Sequence, residues 1–142
     1  MPEPTSHADL PALQDLLSTM VSPWVRELDL RVLEARPGEV MLALPVAPRL
    51  VHGGGVLCGQ AMMAAADTAM VLAISSQLGG FRPMTTVQLQ TSFLRPIGGD
   101  SGEARLVARV LRLGKSLVFG EIELLDAAGR LAAHATTTYA LL

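Results

Sequence analysis

The stretch VHGGGVLCGQAMMAAADTAMVLAIS, residues 51–75, decides the fold. Glycines 53–55 open it. From Gly59 onward it is alanine, methionine and branched apolar residues with a single charge, Asp67. A helix apolar on every side is predicted to be covered on every side. A carboxylate within it is costly unless it is paired, hydrated or used, so Asp67 points to an active site more than to packing. The run could tempt a membrane-spanning assignment. It holds Gln60, Asp67 and Thr68, is rich in alanine rather than leucine, and sits amid strand patterns, so a core helix over about 56–78 is predicted instead. Gly79-Gly80 is a helix stop.

Strand and turn signals surround this helix. On its N-terminal side, residues 24–35 and 39–46 read as a strand pair joined at Pro37-Gly38. Ahead of them, residues 8–21 place Leu10, Leu13, Leu16, Leu17 and Met20 near one helical face, and Pro23 ends that helix. On its C-terminal side, four strands are predicted over 84–95, 102–113, 117–125 and 130–141. In the first, Thr85, Val87, Leu89, Thr91 and Phe93 alternate with Thr86, Gln88, Gln90 and Ser92. The order helix, two strands, long helix, four strands predicts an α+β architecture in which an antiparallel sheet wraps one buried helix. A single domain over 1–142 is expected, with 1–23 as a tail and short helix.

Composition bounds the function. Half of the 142 residues are hydrophobic and 17% are charged, so part of the surface is expected to be shared in an oligomer. A net charge of -2 without a basic stripe argues against a nucleic-acid partner. Cys58 is the only cysteine, which excludes an internal disulfide and suggests a reducing, cytoplasmic setting. The polar, acidic N-terminus is unlike a signal peptide. His7, His52, His134 and Cys58 lack metal-ligand spacing, so no metal is expected.

The segments HGGGVLCGQAMMAAADTAM (52–70), MTTVQLQTSFLRP (84–96) and LGKSLVF (113–119) resemble the PaaI-like acyl-CoA thioesterases of the hotdog fold, over roughly residues 25–141. That resemblance implies a hotdog fold with a four-strand meander after the helix. It implies hydrolysis of an aryl- or medium-chain acyl-CoA without a metal or redox cofactor, coenzyme A being part of the substrate. It further implies homodimers or dimers of dimers, with active sites between protomers.

The family pattern is a polar residue, His-Gly-Gly six residues on, then an acid within the helix. Matching it literally to His52-Gly53-Gly54 leaves Ala61 where the acid belongs. Matching the acid to Asp67 puts Cys58, Gly59 and Gln60 on the His-Gly-Gly positions and His52 on the upstream polar position. We prefer this register, which also aligns the helix and needs no gap. It implies Asp67 as general base or nucleophile, the Gly59 amide as oxyanion donor, and His52 in a water-positioning or substrate-contacting role. Cys58 then stands in place of the family's histidine. Thr86 falls where the family carries a serine or threonine that helps hold the water, but regular alternation puts Thr85, not Thr86, on the face of Val87 and Leu89. If that face covers its own helix, Thr86 serves a neighbouring subunit's site or none. Gly114, Lys115 and Ser116 match the family's coenzyme A-contacting turn. As a motif they are no P-loop, lacking the upstream glycine and the following helix.

The residues themselves suit this chemistry. Thioester hydrolysis needs an activated water or a poised carboxylate, and donors for the developing oxyanion. The first N–H groups of the helix, from about Cys58 to Gln60, have no intrahelical acceptor and favour negative charge. Gln60 lies seven residues before Asp67 and shares its face. Two other readings fit the same residues. One is a non-catalytic acyl-CoA-binding dimer. The other is a dehydratase-type lyase using His52 with Asp67 across an interface.

Overall fold

The computed structural model describes residues 9–142, so His7 and the first residue of the predicted N-terminal helix lie outside the described residues. Helices α1 (Leu10–Thr19) and α2 (Pro23–Arg26) lead into β1 (Arg31–Arg36) and β2 (Glu39–Pro45). The glycine loop then delivers the chain to α3 (Gly59–Leu78). After it come β3 (Met84–Phe93), β4 (Glu103–Leu113), β5 (Leu117–Leu125) and β6 (Leu131–Leu141). All six strands form one sheet in the order β1-β2-β4-β5-β6-β3, every pair antiparallel. The long apolar helix lies on the sheet's inner face, which is the hotdog arrangement.

Three expectations need correction. Residues 24–35 are not one strand. Pro23 sits in the first turn of a helix, where its fixed φ is favourable, and Asp29 adopts φ 54, which turns the chain before β1 begins at Arg31. The long helix starts at Gly59, not near residue 56, because Val56 and Leu57 are held in bridges and backbone bonds to Gly98, Val51 and Ile97. The last four strands are not a simple meander. Only β4, β5 and β6 are consecutive neighbours; β3 pairs with β6 at the far edge, and β4 inserts beside β2. The cause is α3 itself, which carries the chain across the whole sheet before β3 begins.

The core is the contact between α3 and the inner sheet face. Ala65, Ala66, Ala69, Met70, Leu72, Ala73 and Ile74 are buried, as are the sheet residues Leu42, Leu44, Leu106, Ile122, Leu124 and Tyr139. Alanines keep the helix thin, so its axis approaches the strands closely. Gly120 of β5 makes the tightest point. A Cβ built there would lie 2.6 Å from Met70 Sδ and 2.9 Å from the Arg109 carbonyl oxygen. Gly79, at φ 80, closes the helix, and the Gly80 N–H bonds to the Ser75 carbonyl at 3.0 Å.

The outer face is polar. Arg109 meets Glu39 at 2.9 Å and also reaches Glu121 and Glu123, while His134 Nε2 lies 3.2 Å from Glu121. Hydrogen bonding from the Arg109 guanidinium to Glu123 raises its pKa further. The turn between β5 and β6 is organised by Asp126, which accepts from the Arg130 and Ala128 N–H groups at 2.9 and 3.0 Å and pairs with Arg130 Nε at 3.0 Å. The Arg130 amide, then the Arg130 charge and side-chain bond, hold its carboxyl below the ordinary aspartate value.

Two stability outcomes follow. Gly120→Ala overpacks the Met70 notch and is expected to lower unfolding free energy by about 1–3 kcal/mol in denaturant titration. Asp126→Asn is expected to destabilise at neutral pH. Because the native pKa is depressed, the wild-type advantage is complete above the ordinary aspartate pKa and vanishes as pH falls through the native one. Thermal melts of both proteins from pH 7 to pH 2 should therefore converge at the acid end.

Candidate active site

Asp67 lies midway along α3 and is half-buried. Its Oδ1 is held from the sheet. Thr86 Oγ1 donates to it at 2.9 Å, and the single proton of the Tyr139 hydroxyl is shared between it and the Asp67 backbone carbonyl, the latter at 2.8 Å. Thr86 and Tyr139 face each other across β3 and β6, so two cross-strand neighbours converge on one carboxylate oxygen. Among the described residues no hydrogen bond reaches Oδ2. Tyr139 is almost fully buried. Burial first, then the Asp67 carboxylate, pushes its phenol pKa far above the ordinary tyrosine value, so it stays a donor.

The expected parity of β3 is reversed at its start. A bulge interrupts the ladder between Thr86, which pairs with Tyr139, and Gln88, which pairs with Thr138. Val87 is the extra residue. Leu89 and Thr91 remain partly covered on the helix side, and Phe93 lies against Gly59 of α3, as the alternation implied. On the other side of the bulge, Thr86 and not Thr85 reaches Asp67 of the helix, although both threonines are exposed. Bulges change which face a side chain serves. Thr86 therefore meets Asp67 within one chain.

The N-terminus of α3 is the other candidate region. The Cys58 N–H is already used, donating to the Leu50 carbonyl at 2.9 Å, and the thiol makes no capping bond. The available donors are thus the amides of Gly59, Gln60 and Ala61, one residue further on than expected. The Phe93 ring rests over Gly59, where a Cβ would come within 3.3 Å of its Cζ. His52 is exposed, and its Nδ1 accepts the Gly54 N–H at 2.8 Å, so it caps its own glycine turn. Gln60 is exposed.

These groups do not form one pocket within the chain. Gly59 and Asp67 are eight residues apart, roughly 12 Å along the helix axis. The helix is also not covered on every side: Gln60, Met63, Ala64, Asp67 and Val71 form an incompletely buried stripe beside the β3 edge. Gly114, Lys115 and Ser116 form the turn between β4 and β5. It lies just beyond the Val118–Tyr139 pair, toward Asp67 rather than Gly59, with Lys115 exposed. A groove of about 490 Å³ between α1 and the C-terminal end of α3 contains neither Asp67 nor Gly59. Among the described residues no group of three histidine, cysteine or acidic side chains is placed to hold a metal ion.

Sequence reasoning missed Tyr139. Its signal was the chain's single tyrosine placed among small residues of the last strand. Only the register of β6 against β3 brings it to Asp67.

Comparison with known proteins agrees with this architecture. The thioesterase superfamily model matches residues 52–133, from the glycine turn into β6. A Thermoplasma volcanium protein named "Putative esterase TV1331" is 32% identical over 114 residues, spanning 75% of this chain and 77% of its own. The conserved protein PA5202 of Pseudomonas aeruginosa superposes with a TM-score of 0.80 at 32% identity, covering 88% of this chain and 98% of its own. The E. coli PaaI protein of the phenylacetic acid degradation operon shares the fold at a TM-score of 0.78 and 19% identity, over 91% of each chain. With an apolar helix wrapped by six antiparallel strands and an acid held at its centre, the chain belongs to the thioesterase superfamily as a hotdog-fold thioester hydrolase.

Proposed function

We propose that the protein hydrolyses acyl-CoA thioesters, of aryl or medium-chain acyl groups, to the free acid and coenzyme A. Asp67 acts as the base, and the Gly59 amide, with its neighbours at the helix start, receives the oxyanion. The observation that carries this reading is the carboxylate anchored through one oxygen with its other oxygen free. Water activated there attacks the thioester carbonyl, charge collects on the carbonyl oxygen, and positioned amide donors stabilise it. Collapse of that intermediate expels the coenzyme A thiolate. The reading calls on no metal or redox cofactor. Lys115 and the turn amide at Ser116 suit the phosphates of coenzyme A, whereas the Gly114 N–H is taken by the Leu117 carbonyl at 2.8 Å.

The roughly 12 Å between Gly59 and Asp67 is too long for one thioester, so the site is assembled from Asp67 of one protomer and Gly59 of another. The two sheet edges differ in a way that supports this. β1 carries Arg31, Glu34 and Arg36, the kind of edge that resists further pairing. β3 is ten residues long and has no charge between Met84 and Phe93. Edge pairing through β3 brings two uncovered α3 stripes together and closes the site, in a homodimer or a dimer of such dimers. The single free thiol of Cys58 is compatible with a cytoplasmic setting. A lyase pairing His52 with Asp67 is less well supported, because His52 is engaged by its own turn.

Thiol release from a panel of acyl-CoAs tests the reaction. Asp67→Asn is expected to lower kcat by about 10²–10⁴-fold while the dimer persists in sedimentation; full activity in that variant would refute the role of Asp67. Gly59→Val, which collides with Phe93 at the helix start, is also expected to be inactive. Co-expressing the Asp67→Asn and Gly59→Val chains should restore activity, since one site of each heterodimer then has both wild-type residues. No recovery would place both residues in the same protomer's site.

A further inference from the structure

Tyr139 does more than fill the core. Its hydroxyl lies within hydrogen-bond reach of two acceptors on a single residue, the Asp67 backbone carbonyl at 2.8 Å and Oδ1, and shares one proton between them. The backbone carbonyl alone would satisfy a buried phenol. The closer approach to Oδ1, together with Thr86 at 2.9 Å, directs both hydroxyls at the same carboxylate oxygen. Both donors come from the β3–β6 ladder, where Thr86 and Tyr139 are direct partners. Two donors from paired strands leave the carboxylate little freedom to rotate. We propose that Tyr139 is a positioning residue: with Thr86 it makes Oδ1 the anchored oxygen of Asp67 and leaves Oδ2 as the oxygen that takes the proton.

The step balances on that assignment. Oδ2 removes a proton from water as the water oxygen bonds to the thioester carbonyl carbon. When the C–S bond breaks, the proton on Oδ2 passes to the departing sulfur. Neither transfer disturbs Oδ1, which accepts from Tyr139 and Thr86 throughout. The Tyr139 hydroxyl keeps its own proton, because burial and the adjacent carboxylate oppose ionisation. It orients the base without competing as an acid.

The inference rests on Asp67 being the base, and the test separates the two ideas. Tyr139→Phe removes the hydroxyl and keeps the ring. A charge-assisted bond is lost from the reacting group only, so kcat should fall roughly tenfold to a hundredfold with KM unchanged. Unchanged kcat, or a change confined to KM, would overturn the positioning role while Asp67→Asn still reports on the base. Tyr139 is the chain's only tyrosine, so 3-fluorotyrosine incorporated in place of tyrosine gives one ¹⁹F resonance from this site. Asp67→Asn should shift that line, because it removes the charge next to the phenol. A line that stays in place would overturn the contact, even if Tyr139→Phe does not fold.

Discussion

Everything in this molecule depends on how closely α3 approaches its sheet. One sheet of six strands wraps most of a twenty-residue apolar helix, but only because alanines narrow the helix and Gly120 recesses the strand beneath Met70. Even so, the wrap is incomplete. The stripe through Met63, Asp67 and Val71 stays partly open, and it lies beside the strand edge least defended by charge. The acid of α3 and the uncharged strand edge thus lie beside the same gap in coverage.

The polar machinery is built from the core outward. A lone carboxylate in an apolar helix is an energetic liability, and the fold answers it with Tyr139 and Thr86. Neither is near Asp67 in sequence. They arrive through the register of β3 on β6 and a single extra residue, Val87, that lets Thr86 reach the carboxylate. The helix start, where the Gly59, Gln60 and Ala61 amides lack an intrahelical acceptor, lies roughly 12 Å from Asp67 along the axis.

Much of this was legible in the sequence. The buried helix followed from its composition, the strand set from alternation and turn residues, and the prominence of Asp67 from its being the only charge in the helix. The misreadings have local causes. The segment after Pro23 looked extended because Val25, Leu28, Leu30 and Val32 are spaced among charges, yet a four-residue helix and a left-handed Asp29 occupy its first part. Cys58 looked like a free donor because strand-like pairing between the loop and Leu50 leaves no trace in composition. The choice between Thr85 and Thr86 turned on a bulge, which inverts parity without any glycine or proline to announce it. Strand order was also beyond local pattern, since which edge receives β3 depends on where a helix crosses the sheet. Tyr139 was invisible for the same reason: its role is defined by a residue 72 positions away.

The notch at Gly120 has a consequence for substitution. Met70 Sδ and the absent side chain at position 120 occupy the same space. A side chain at position 120 would displace Met70 and press on the Arg109 carbonyl, while shortening Met70 alone would leave a void beside Gly120. Residues on two different elements, fifty apart in the chain, are therefore coupled in the sizes they can adopt.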